Sequence, residues 1–141
     1  MSKPADIVDA LYERLAGLDF IMFKGRRSFA TGEVEKKTCC AIYREAWERA
    51  SDEGQRSRID GRVIIEAHET ASQATAADTG EALIANIRTA IETSNRTLTS
   101  LLLSPGLLLE LHGITYPDNE ESTVSVRLEY SVPHVESYGN P

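Results

Sequence analysis

The stretch from Thr123 to Val132 alternates without a break, with Val124, Val126, Leu128, Tyr130 and Val132 set against Thr123, Ser125, Arg127, Glu129 and Ser131. Successive side chains of a strand point to opposite faces. A ten-residue run of this kind therefore fits a β-strand with one face on a core and the other turned away from it. On a helix the same five apolar side chains would be scattered around the circumference. Pro133 stops the run, and residues 134–141 then read as a loose, flexible tail. The chain is thus committed to a sheet, and something must cover the apolar face of that sheet.

Two segments have the pattern to cover it. Pro4 suits a helix start, and Ile7, Val8, Leu11 and Leu15 recur at helical spacing up to Gly17, which predicts a helix over 4–16. Farther on, Leu83, Ile84, Ile87 and Ile91 form a second apolar stripe. Asp78 and Glu81 have capping-box spacing at its start, and Asn95 is its expected stop. Short apolar runs around Phe20–Phe23, Thr38–Arg44, Val63–Ile65 and Leu107–Pro117 predict four more strands, the last with a kink at Gly113 and antiparallel to the alternating strand. In the third of these, Val63, Ile65 and Ala67 share one face and Ile64, Glu66 and His68 the other. The first two strands are expected to form a hairpin with a long polar tip. The segment REAWERASDEGQRSR, 44–58, holds four acids and four bases, and reads as a solvated loop or as one helical turn through Ala46, Trp47 and Ala50. The order predicts an α+β fold: a mostly antiparallel sheet of about four to five strands with two helices packed on one face, in a single domain spanning 1–133.

Bulk properties narrow the function. At 141 residues the chain can bury a core without staples. The apolar run Leu101–Leu111 is interrupted by Ser104, Pro105, Gly106 and Glu110, short of the roughly 18–20 residues of a membrane span. The N-terminus lacks an apolar signal core and is not expected to direct export. A formal charge of −7 argues against a generic DNA-binding surface. The charge is uneven. Lys24, Arg26, Arg27, Lys36 and Lys37 outnumber Glu33 and Glu35, whereas 117–141 sets Asp118, Glu120, Glu121, Glu129 and Glu136 against Arg127 alone. Cys39 and Cys40 are adjacent, so a disulfide between them would be strained, and they are expected as reduced, half-buried thiols.

Motifs for chemistry are few. The chain has no Gly-rich phosphate loop, no GxSxG and no HExxH, and no nucleophile–base pattern emerges, so no catalytic residue, cofactor or metal is assigned. One constellation points the other way. Glu66 and His68, and Glu110 and His112, are each two apart on a predicted strand. If the two strands were neighbours in register, the four side chains could converge on a divalent metal in a small enzyme; otherwise they belong to a polar sheet face. The candidate interface residues are Arg26, Arg27, Lys36 and Lys37, a solvated hairpin tip, a contact for a partner protein or neighbouring subunit, or a contact for nucleic acid, and Trp47, either a lid on the core edge or an interface anchor. A monomeric binding module docking its partner at Trp47 is a further reading.

The element order carries a resemblance. A short N-terminal helix (IVDALYERLAGL), a strand in KKTCCAIYRE, a strand in RIDGRVIIEAHE, a helix in GEALIANIRTAIE and two closing strands in LLELHGITYPDNE and STVSVRLEYSVP follow one another over about 5–133. In this order the chain resembles the tail terminator, or tail-completion, proteins of long-tailed bacteriophages. The resemblance implies an α+β domain that forms a hexameric ring, caps the tail tube, stops its polymerisation and docks to the head connector or neck protein. It also implies assembly in the host cytoplasm, a place in the virion, and contact with DNA only in transit through the lumen. It carries no catalytic residues. Neck or head–tail adaptor proteins and tail tube proteins are the nearest alternatives of the same class. The Cys39-Cys40 pair, where Ala-Leu is more typical, and the charged 44–58 segment depart from the family pattern.

Overall fold

In the computed structural model the described residues are 3–18, 20–25, 38–53, 56–70, 75–93, 109–115 and 123–137. They form helix α1 (Lys3–Ala16), strands β1 (Ile21–Lys24), β2 (Cys39–Glu53) and β3 (Arg56–Thr70), helix α2 (Ala76–Glu92), and strands β4 (Glu110–Thr115), β5 (Thr123–Ser131) and β6 (His134–Ser137). Five strands lie side by side in the order β1-β2-β3-β5-β4, and β6 pairs with the far end of β3. All pairings are antiparallel except β1 with β2. The fold is α+β.

The alternation on β5 is realised residue by residue, with Val124, Val126, Leu128 and Tyr130 buried and the residues between them half-buried. Leu128 lies between Ile65 of β3 and Ile114 of β4, and Tyr130 between Val63 and Leu111. Ile7, Leu11 and Leu15 of α1 and Leu83, Ile84, Ile87 and Ile91 of α2 pack on this row together with Cys40, Ile42 and Ala67. Both helices therefore cover the same sheet face, as their apolar stripes require. Gly80 faces β5 from α2, and a Cβ there would lie 3.5 Å from a Val124 methyl, an ordinary van der Waals contact. Arg14 Nη1 donates to the carbonyl of Ile91 at 2.7 Å, tying α1 to the last turn of α2, where free carbonyls welcome a cation.

Four expectations are corrected. β1 and β2 do not form a hairpin; they are parallel, with Ile21 opposite Cys39 and Lys24 opposite Ile42. The connection 25–38 is long enough for the crossover that parallel pairing needs, so length and polarity alone did not mean a hairpin tip. The 44–58 segment is neither loop nor helical turn, because β2 and β3 run through it on either side of 54–55. The capping box is not used: α2 starts at Ala76 with Thr75 as its N-cap, which leaves Asp78 inside the first turn, and it ends at Glu92 with Thr93 as its C-cap, short of Asn95. Finally, the ordered chain does not stop at 133. Pro133 has no N–H to donate and interrupts the ladder, but His134–Ser137 resumes it against Arg56–Ile59 as β6.

These corrections define a second region. The core side chains described on β2 are Cys40 and Ile42, and on β3 they are Val63, Ile65 and Ala67. Beyond them the β2–β3 ladder continues from Ala46–Arg62 to Glu53–Arg56, with register shifts at Arg44/Ala46 and Arg49/Ser51. At strand spacing this adds about 25 Å to the sheet. We call this part, with β6 along β3, the arm, and the helix-covered remainder the body.

Candidate functional site: the arm and the polar face of the sheet

Arg26, Arg27, Lys36 and Lys37 lie outside the described residues. Lys24, which opens the basic segment, ends β1, and its Nζ stands 2.6 Å from Asp9 Oδ1 and 4.8 Å from the centre of the Tyr12 ring. The hydrogen bond to Asp9 raises the Lys24 pKa above its ordinary value. This ammonium is therefore engaged with α1 of its own chain. An open cleft of about 390 Å³ adjoins it, lined by Val8, Asp9, Lys24, Ile42 and Tyr43 among others. The Asp9–Lys24 pair neutralises the charge on that side of the cleft. Trp47 is on a strand of the arm, paired with Gly61, and not in a loop.

The sheet face opposite the helices carries an ordered set of polar contacts. His68 Nδ1 and Ser125 Oγ are 2.7 Å apart, joining β3 to β5. Burial lowers the His68 pKa, and the negative charge of Glu66 partly opposes that shift. The Tyr43 hydroxyl donates to Glu66 Oε1 at 2.6 Å, joining β2 to β3. Arg127 Nη2 donates to Glu45 Oε2 at 2.7 Å, and so reaches from β5 across β3 to β2. His112 Nε2 is 3.4 Å from Glu129 Oε2. Cys39, Ala41 and Ile64 lie buried on the same side.

The four candidate metal ligands are not brought together. β5 separates β3 from β4, so the two Glu/His pairs sit two strand spacings apart, roughly 10 Å. Glu66 faces Arg127 and His68 faces Ser125 in the ladder. Glu110 is exposed opposite Ser131, and His112 occupies the bulge between Leu111 and Gly113. Among the described residues, no group of three or more His, Cys, Asp or Glu side chains could share a metal ion. Cys39 and Cys40 are free and buried. Burial, then Cys39 and Glu66, push the Cys40 thiol up to about 12, so it holds its proton and is a poor nucleophile.

Sequence reasoning did not single out Tyr43, Glu45, Ser125, Arg127 or Glu129. The alternation on β5 already placed Ser125, Arg127 and Glu129 on the polar face. Their partners depend on β5 lying between β3 and β4, which no local pattern encodes. Among the described residues this face holds charge in pairs, and its contacts link strands. No helix of the described residues is long and apolar enough to cross a membrane. Fold and contacts together define an α+β domain with a helix-covered body and a strand-built arm. No family model and no curated protein matches the chain.

Proposed function

We propose that the chain is a structural virion protein, a tail terminator that assembles as a homo-oligomeric ring, caps the tail tube, ends its polymerisation and presents the docking surface for the head connector. The observation that carries this reading is the arm: β2 and β3 stay paired for about 25 Å past the described core residues, through two register shifts. A ribbon of this length gives a subunit a means to reach its neighbour. The α+β architecture agrees with what the resemblance implies. The uneven charge supports head-to-tail contacts, which close a ring when the rotation allows. A net charge of −7 suits a channel through which DNA passes without being retained.

The test is removal of the protein from its native assembly, with electron microscopy of the particles. A terminator predicts tails of irregular, excessive length. Tails of normal length that fail to join heads would instead indicate a neck adaptor, and normal joined particles would refute both roles. Charge reversal at Arg26 and Arg27 is expected to impair ring formation or docking, read by mass in solution and binding to tails, while the circular dichroism of the monomer stays native. Normal assembly by that variant would remove the basic segment from the interface.

A further inference from the structure

The arm leaves the body at one irregularity. The register of β2 against β3 shifts between Arg44 and Ala46, so Glu45 is the extra residue of a bulge. A bulge bends its strand and increases the local twist, and what holds its extra residue sets the direction of the strand beyond it. Glu45 is held from two strands away, by Arg127 of β5 at 2.7 Å. The carboxylate opposite Arg127 in the ladder is Glu66, and Glu66 Oε1 accepts the Tyr43 hydroxyl at 2.6 Å. Tyr43 and Arg127 thus divide two acids between them, and the guanidinium goes to the bulge. Its side chain is 26% exposed and that of Glu45 37%, so salt can reach the pair, although it is not fully in bulk water.

We propose that the Glu45–Arg127 pair is an ionic latch that fixes the pitch of the arm on the body, so that the freedom of the arm rises with ionic strength. Neutralising either group leaves the bulge without its cross-sheet anchor while the ladder on both sides persists. The body, whose core lies on the other face of the sheet, is unaffected. The latch is a property of a single chain and holds whether or not the chain forms a ring.

Hydrogen exchange on the full chain tests it, comparing unmodified protein, Glu45→Gln, Arg127→Gln and the exchanged pair Glu45→Arg with Arg127→Glu, at about 0.05 M and about 1 M sodium chloride, where screening differs several-fold in range. In the unmodified chain, exchange of arm amides from 46–53 and 56–62 is expected to rise roughly two- to five-fold from low to high salt, the scale of an ion pair of this exposure. Each single variant should exchange fast at both salts, and the exchanged pair should recover slow exchange at low salt. Amides of α2 and β5 should not change. Arm exchange independent of salt in the unmodified chain overturns the latch, as do single variants that match it or an exchanged pair as fast as the singles. The salt series decides alone if a variant does not fold.

Discussion

Between Cys39 and Arg44 the second strand reads Cys-Cys-Ala-Ile-Tyr-Arg, and from Ala46 to Glu53 it reads Ala-Trp-Glu-Arg-Ala-Ser-Asp-Glu. A single antiparallel ladder to β3 nevertheless runs through both. In the body, apolar side chains at every second position meet α1 and α2, and burial of that face selects both the strand and its register. In the arm the sequence shows no such alternation, and the strand is held by backbone pairing to β3, which is itself flanked by β6 on the other side. The comparison teaches that one continuous strand can take its conformation from two sources. Burial dictates it near the helices, and the ladder propagates it beyond.

The largest effect should come from attacking burial. Leu128 is fully buried at the centre of the core, between Ile65 and Ile114. Leu128→Asp places an unpaired charge there. The cost is expected to rival the whole stability of a domain this size, on the order of 5 kcal/mol. Circular dichroism and gel filtration should report an unfolded or aggregated chain, body and arm together. A soluble, native-like variant would mean that the face of β5 turned to the helices is not what holds the body.

The two regions also differ in how far they could be read before folding. The inner face of β5, the stripe Leu83–Ile91 and the split of β3 into Val63/Ile65/Ala67 and Ile64/Glu66/His68 were legible, because burial imprints a period on the sequence. The arm was not legible. Its mixture of four acids and four bases carries the composition of a solvated loop, and nothing local says that residue 47 will find residue 61. The parallel β1–β2 pairing was hidden for the same reason, since strand direction depends on a crossover and not on either strand. The polar contacts lay halfway between these cases: the residues on β5 were placed on the correct face, but their partners follow from strand order. The proposed metal constellation failed at that step, because it needed β3 and β4 to be neighbours.

A middle-sized effect sharpens the division. Replacing 48–60 by a two-residue Asn-Gly turn joins Trp47 to Gly61, which already pair, through the tight connection favoured for hairpins. The shortened chain keeps every described core residue on β2 and β3 but loses the partner of β6. The body should still fold cooperatively, with a loss of about 1–2 kcal/mol and a melting temperature lower by roughly 5–10 °C. On the proposed role of the arm, self-association and binding to tails should be abolished. A chain that no longer folds would show that the arm carries the stability here assigned to the body, and a chain that still assembles would separate the arm from the interface.

The smallest effect tests whether the polar face belongs energetically to the body. Burial holds the His68 pKa below its ordinary value near 6.5, with Glu66 acting in the opposite sense. In the unfolded chain the imidazole takes up a proton as the pH falls through 6.5, whereas in the folded chain it resists until a lower pH. Over that window the unfolded state binds more protons, so stability is full above about 6.5 and declines as the pH drops toward the folded value, below which no further loss accrues. Urea unfolding between about pH 8 and pH 5 should therefore show a decline to which His68 contributes, and a His68→Gln variant should show a shallower one. Glu66→Gln removes the charge that favours the imidazolium, and should steepen the decline instead. If His68→Gln leaves the pH profile unchanged, the imidazole is as well hydrated in the folded chain as in the unfolded one. The face bearing Ser125 and Glu66 would then contribute no more to the body than open water does.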